Sequence, residues 1–483
     1  MTANAAYAPS SGVPGIAALQ TDRKTQFYQL SAPLHSHTPL SHLPGSSAAL
    51  MWWPYAVAAA AATAYLMRPR EKYKVPVRQS WTLRALNALL WPSCLLQDLF
   101  GISVPRVGKM LRWPLSLPRL MAEAERRTKL SEWARDESFP GLYEVAVARL
   151  NETAPTPVGR LIAFDYLMRR LMTRLQVIER AKSKPDPRYI PRAPIVVMGL
   201  PRTGTTFLHR LLALDPENRC PETHELLDPL SKRPLAKRVK YWDSKLNLMK
   251  RLVPHLEQIH DLGAREAEEC LLALSVDVPL LPPTFRHLVR HCVSRGTFPP
   301  LQRAYALYKR QLEFLAAARG ENKRWALKCP AHLPYVSDLL AEFPDARIVW
   351  THRAPRESIP SLCSMFRTFA DMGERGPVDL EAIGREQVAF WGAACDRALH
   401  VACCDVAYAD LVKEPIEVVR RVYAACDLTV SSAFERALSE YLATRTRSVR
   451  HSYSLGEYGL DGDAVRARFS GYAEAMRSRG VVV

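Results

Sequence analysis

Ala193-Pro-Ile-Val-Val-Met-Gly-Leu-Pro-Arg-Thr-Gly-Thr-Thr-Phe-Leu-His-Arg-Leu-Leu212 is the stretch whose reading decides the fold. Its first six residues form a short apolar, β-branched run, Gly199 to Gly204 read as a turn, and from Thr205 onward Phe207, Leu208, Leu211 and Leu212 fall on one helical face. The pattern is strand, loop, helix. Such a junction aims the free backbone N–H groups of a helix N-terminus at an anion, and the glycines let the backbone come close to phosphate oxygens.

The nucleoside-triphosphatase version of this motif needs GxxxxGK[ST], in which the lysine spans the β and γ phosphates and the hydroxyl holds magnesium. Here the lysine position is Thr205. A strand ending in a magnesium-orienting Asp is also missing, because Ile348-Val-Trp350 runs into Thr351 and His352. A P-loop kinase is therefore the rival enzyme class, and the absent lysine argues against it.

Pro201-Arg-Thr-Gly-Thr-Thr206 resembles the 5'-phosphosulfate loop of the sulfotransferases that use 3'-phosphoadenosine 5'-phosphosulfate (PAPS), in the broad branch with a PRxGTT loop. Arg202 stands where the best-known cytosolic members have lysine. Trp325-Ala-Leu-Lys-Cys-Pro-Ala-His-Leu333 and Phe343-Pro-Asp-Ala-Arg-Ile-Val-Trp-Thr-His-Arg353 follow in the family's order, so the resemblance spans about residues 140 to 475. It implies that Pro201, Arg202, Thr203, Gly204, Thr205 and Thr206 hold the phosphosulfate, and that Arg353 and Ser361 hold the 3'-phosphate. Arg447, Arg450 and His451 resemble the family's C-terminal basic segment near the donor's 3' end, and Arg450 is the donor-binding candidate there. PAPS is then the co-substrate, the acceptor is unidentified, and no metal is required.

The residues support this reading independently. Ala346 to His352 reads as a further core strand, and the eight-residue gap from Arg353 to Ser361 lets a strand end and the next helix turn bring a guanidinium and a hydroxyl to one phosphate. Two anion sites on one sheet suit a nucleotide phosphorylated at both its 5' and 3' ends. Sulfuryl transfer needs positioning and charge stabilisation on an in-line path, so Arg202 and the loop N–H groups are placed to stabilise the leaving phosphate. An alcohol or amine acceptor must lose a proton to a nearby His or carboxylate. His332, four residues after Lys328, and Glu225 in Pro221-Glu-Thr-His-Glu225 are the two candidates, with Glu222 as a near alternative and Lys328 as a positioning or charge-stabilising residue. His332 sits in Lys-Cys-Pro-Ala-His, whereas cytosolic members have a tighter Lys-x-His. Glu225 also reads as a helix-start acid. Glu268-Glu-Cys270 resembles another recurring family stretch and reads as packing.

The expected architecture is α/β: a P-loop-like parallel sheet flanked by helices, a helical insertion between Asp215 and Ala318 that shapes the acceptor pocket, and an N-terminal helical or membrane segment. Cys403 to Tyr408 reads as a further strand. Residues 1–48, rich in Ser, Pro, His and Ala, read as a disordered tail. Residues 49–67 carry no charge, place Trp52, Trp53 and Tyr55 near one end and Tyr65 near the other, and run into Arg68, Arg70, Lys72 and Lys74. That fits a single membrane span facing its main domain to the cytoplasm by the charge rule, with a Golgi lumen orientation as the alternative. A second apolar stretch, 83–102, fits an in-plane membrane helix or a helix packed on the main domain. Residues 68–138 read as a helical basic connector and 139–483 as the catalytic domain.

Across the 483 residues, 48% hydrophobic and 24% charged residues describe a globular chain, and a formal charge of +18 suits an anionic partner. The basic residues are scattered and no zinc-finger, leucine-zipper or RNA-recognition signature accompanies them, which points away from nucleic acid. Ten cysteines show no CxxC pair and read as buried thiols, with a lumenal disulfide left open. A non-catalytic, membrane-tethered nucleotide-binding protein is the third reading.

Overall fold

The computed structural model describes residues 74–75, 79–100, 110, 112–134, 139–153, 155–253, 263–280, 284–374, 376–444 and 453–483. Five strands form the central sheet: β1 (Ile195–Gly199), β2 (Asn218–Arg219), β3 (Arg324–Lys328), β4 (Arg347–His352) and β5 (Cys404–Ala407), in the order β2-β3-β1-β4-β5. Every pairing between them is parallel. A parallel sheet needs both faces covered, which is why β1 is buried along its whole length.

The period of two along the strands divides the core. Val196, Met198, Trp325, Leu327, Ile348 and Trp350 join one apolar cluster with the helices Gln302–Arg319, Pro355–Gly373 and Leu380–Ala398. Ile195, Val197, Ala326, Val349 and Val406 join the other, with Leu208, Leu211, Leu212 and the helix Pro415–Ala425. The α/β expectation, a parallel sheet with helices on both faces, is what the structure has.

Five helices matter below: α1 (Trp81–Phe100), α2 (Pro157–Ala181), α3 (Thr205–Leu212), α4 (Thr223–Leu227) and α5 (Pro355–Gly373). The spacing of Leu161 to Ile178 does form α2, capped by the Thr156 side chain, which accepts from Gly159 N. Helix α1 packs on the main body: Asn87 Oδ1 accepts from Val158 N at 2.9 Å, and the Ser80 hydroxyl just before it donates to Leu252 O at 2.8 Å. Of the two readings for 83–102, the packed helix is observed, with Trp81 and Leu89 left on the outer face. Within the stretch read as a helical basic connector, 68–138, packing on the main body recurs. The described helix Leu117–Thr128 there shares an apolar cluster with α2, and the compact unit runs from Arg70 to Val483.

Among the described residues no helix is long and apolar enough to cross a membrane. The candidate span 49–67 and the tail 1–48 lie outside the described residues. None of the ten cysteines is in a disulfide.

Candidate functional site

The order of the sheet brings three strand ends side by side. Gly199 closes β1, Lys328 closes β3 on one flank, and His352 closes β4 on the other, with Val197 in register with Lys328 and Gly199 with Thr351. Parallel strands all present their carboxyl ends to the same edge, so residues over a hundred positions apart meet there.

The loop between β1 and α3 is shaped by close backbone approach. Gly199 has φ +150°, and a Cβ there would lie 2.5 Å from Thr351 O. Gly204 has φ +93°, and its Cβ would stand 3.0 Å from both Leu411 and Tyr408 side-chain carbons. Between them Arg202 takes the left-handed region at φ 74°, which costs a non-glycine residue about 1 kcal/mol or more. Gly204 caps α3 with no side-chain acceptor, so the first N–H groups of that helix are presented to the loop.

The six loop residues divide by role. The buried Thr203 hydroxyl donates to Leu200 O and meets Thr351 Oγ1, both at 2.6 Å, so its side chain braces the loop from within. Pro201 is buried and has no N–H, which restricts it to shaping the turn. Thr206 and Arg202 are the side chains that reach the half-exposed surface. Arg202 Nε donates to Ser361 Oγ on α5 at 3.1 Å, and Arg353 Nη1 donates to Arg202 O at 3.2 Å. The phosphate loop and the pair Arg353 and Ser361 are thus one continuous patch. Arg353 is further held by Glu357 Oε2 at 3.1 Å and lies 4.6 Å over the Tyr408 ring.

The residue before Arg353 is fixed from both sides. His352 is fully buried, with Nε2 hydrogen-bonded to Asp405 Oδ1 and Nδ1 to Tyr472 Oη, each at 2.8 Å. Burial lowers its pKa below the ordinary histidine value, and Asp405 opposes that shift.

On the β3 side the Lys328 ammonium is buried and lies 3.3 Å from Thr206 Oγ1 and 2.5 Å from Glu269 Oε1. The two strands on either side of the loop therefore supply a lysine and an arginine. Cys270 N donates to Lys328 O at 3.0 Å and fixes the Glu269 segment against the end of β3.

The sequence candidates for a proton acceptor fare differently. Glu225 is the third residue of α4 and closes a capping box: its Oε2 accepts from Glu222 N at 3.0 Å. Its Oε1 takes Arg219 Nη2 at 3.0 Å and Arg319 Nη2 at 2.9 Å, with Glu225 and Arg219 buried and Arg319 partly exposed. A carboxylate held by two guanidinium groups and a backbone donor has the bonds of a structural anchor, which is the helix-start reading of Glu225 rather than the geometry expected of a base. Glu222 is engaged by His224 at 2.8 Å and Arg319 at 3.0 Å. Burial, which alone would raise its pKa, is outweighed by these bonds, and the carboxyl falls to about 2. His332 lies in the 3₁₀ helix Pro330–Tyr335, fully buried, with Nδ1 hydrogen-bonded to Tyr305 Oη at 2.8 Å and no partner at Nε2 among the described residues. Burial and then the Lys328 charge lower its pKa to about 3, so the ring is neutral. Arg450, with Arg447 and His451, lies outside the described residues.

Glu269 and Tyr408 are the site residues that sequence reasoning missed. Glu269 was inside a stretch read as packing, and its meeting with Lys328 bridges 59 positions. Tyr408 follows directly on β5, and a position just past a strand end was the available signal.

A phosphate-type loop at the carboxyl edge of a parallel sheet, with no lysine at the nucleotide-triphosphatase position and with cations from both flanking strands, defines an anion-binding α/β protein. A family model described as "Sulfotransferase family" matches residues 194–432. Two crystal structures are similar over 74% of this chain. Sulfotransferase STF1 from Mycobacterium tuberculosis H37Rv is 26% identical with a TM-score of 0.61, covering 99% of that chain. Sulfotransferase STF9 from Mycobacterium avium is 25% identical with a TM-score of 0.63, covering 96% of that chain. Comparison with curated protein sequences gives no match. The chain belongs to the sulfotransferase family.

Proposed function

We propose that the protein moves a sulfuryl group from PAPS to a hydroxyl or amine acceptor and releases adenosine 3',5'-bisphosphate. The observation that carries this reading is the bonded chain Arg353 to Arg202 to Ser361, which joins the loop at the end of β1 to the start of α5 in one cationic patch. A donor with anions at both its 5' and 3' ends matches such a patch. A nucleoside triphosphate would lack the lysine that the triphosphatase loop brings to its β and γ phosphates.

In this reading the N–H groups at the start of α3, the Thr206 hydroxyl and Arg202 take the 5'-phosphosulfate. Arg353 and Ser361 take the 3'-phosphate, with Arg450 as a further cation. Charge grows on the leaving phosphate oxygen as the bond to sulfur lengthens, and Lys328 beside Thr206 stands ready to stabilise it. Where the protein resides follows from residues 49–67, for which a membrane span is the reading of the sequence.

Calorimetric titration with adenosine 3',5'-bisphosphate tests the donor side. Binding is expected for the unaltered chain and a loss of about tenfold or more for Arg202→Ala and for Arg353→Ala, since a charge-assisted bond contributes about 1.5–3 kcal/mol. Adenosine triphosphate binding with equal affinity, unaffected by Arg353→Ala, would overturn the reading. Incubation with labelled PAPS and cell extract tests the transfer itself.

A further inference from the structure

We propose that Glu269 is the carboxylate that takes the acceptor's proton, and that in the donor-free protein it restrains Lys328. This rests on the donor reading given above.

Four carboxylates, Glu222, Glu225, Glu268 and Glu269, lie on two segments joined by the bond from Glu268 N to Pro221 O, and three are committed elsewhere. Glu225 and Glu222 are held by arginines and by the capping box of α4. Glu268 is buried, and its Oε1 accepts from Glu269 N at 2.7 Å. Glu269 differs in each respect. Its Oε1 lies 2.5 Å from Lys328 Nζ, its Oε2 has no hydrogen bond among the described residues, and its side chain keeps 21% of its exposure. One oxygen thus faces the cation beside Thr206, while the other is uncommitted in a side chain that is not fully buried.

The backbone beneath it is fixed. Glu268 N donates to Pro221 O at 2.9 Å, Cys270 N to Lys328 O at 3.0 Å, and the Tyr308 hydroxyl to Cys270 Sγ at 2.9 Å. A base must be held within hydrogen-bond reach of the proton it removes, and these bonds supply that rigidity. His332 offers a nitrogen, but it is wholly buried and tied to Tyr305, without an exposed edge.

The step balances as follows. The acceptor oxygen forms its bond to sulfur and gives its proton to Glu269 Oε2. The bond from sulfur to the 5'-phosphate oxygen breaks, and its electron pair leaves on the phosphate. Lys328 moves its hydrogen bond from Glu269 to that oxygen. Loading of the donor therefore frees the carboxylate at the moment its base is needed.

Two measurements test this on the full chain. In calorimetry, Glu269→Gln removes the competitor for Lys328, so PAPS should bind about two- to fivefold more tightly than to the unaltered protein, the fold-change of one modest ion pair given up on binding. Glu269→Ala should behave likewise, and Lys328→Met should weaken binding. In transfer of labelled sulfuryl from PAPS to water and to a panel of phenols, sugars and aliphatic alcohols, Glu269→Gln should lower kcat about 100-fold or more. The acid limb of the kcat–pH profile should disappear with it. Glu266→Gln, whose half-exposed carboxylate pairs with Arg210 at 3.5 Å, is the control and should keep both the rate and the acid limb. Unchanged or weaker PAPS binding in both Glu269 variants, or an acid limb that survives Glu269→Gln, would overturn the assignment while leaving the donor reading intact. Failure of the unaltered protein to bind PAPS would overturn both.

Discussion

Glu225→Gln separates a structural carboxylate from a catalytic one. The substitution keeps size and shape but removes the charge that Arg219 and Arg319 share at 3.0 and 2.9 Å, and it can replace the Oε2 that accepts from Glu222 N with an NH2 group. Arg219 is not left bare, because its Nη2 also donates to Leu315 O at 3.0 Å and its guanidinium stacks 4.4 Å from the Trp325 ring. Removing one partner of a buried pair costs about 3–5 kcal/mol, and these residual contacts bring that toward about 2. Loss of the capping box adds about 1 kcal/mol. The expected fall in unfolding free energy is therefore about 3 kcal/mol, measured by urea titration of tryptophan fluorescence. Affinity for adenosine 3',5'-bisphosphate should stay within about twofold below the unfolding range, since the charge lost is tied to Arg219 and Arg319 rather than to the loop. A protein of unchanged stability whose sulfuryl transfer falls 100-fold would refute the structural assignment and return Glu225 to catalysis.

Two further outcomes follow from the same geometry. Burial holds His209, His287 and His332 at about 3, below the ordinary histidine value. Below pH 6.5 the unfolded chain gains protons that the folded one refuses, so stability should fall on acidification from pH 6.5 to 5, by up to about 1.4 kcal/mol per pH unit for each histidine. Urea titrations at pH 7, 6 and 5 check this, and a flat or rising profile would contradict it. Gly204→Ala forces a side chain into φ +93° against Leu411 and Tyr408, so unfolding should become easier by about 1–2 kcal/mol and bisphosphate affinity should drop. Calorimetry and urea titration of that variant read both, and a neutral result would mean the loop is not held as described.

Much of the loop edge of the sheet was legible because it depends on local chemistry. A β-branched run, two glycines and an amphipathic segment specify strand, loop and helix within twenty residues, and Arg353 follows its strand directly. Even Glu225 was half legible: a glutamate three positions after Glu222 at a helix start is a capping pattern, and that capping box is formed. Glu269 was out of reach because its meaning comes from Lys328, brought near only when β3 pairs beside β1. The bond from Arg202 to Ser361 is of the same kind, spanning 159 positions. Helix α1 was ambiguous for a different reason, since apolar periodicity states that a face will be covered but not by what.

The double hold on His352 bears on how the protein is made. Asp405 and Tyr472, which grasp its two nitrogens, are synthesised 53 and 120 residues after it. During translation the sheet edge that carries Arg353 emerges well before either partner, and its buried imidazole must wait for them. Folding of the proposed donor grip is thus completed late in synthesis, and a nascent chain stalled between β4 and Tyr472 would carry the loop after β1 without the brace beside Arg353.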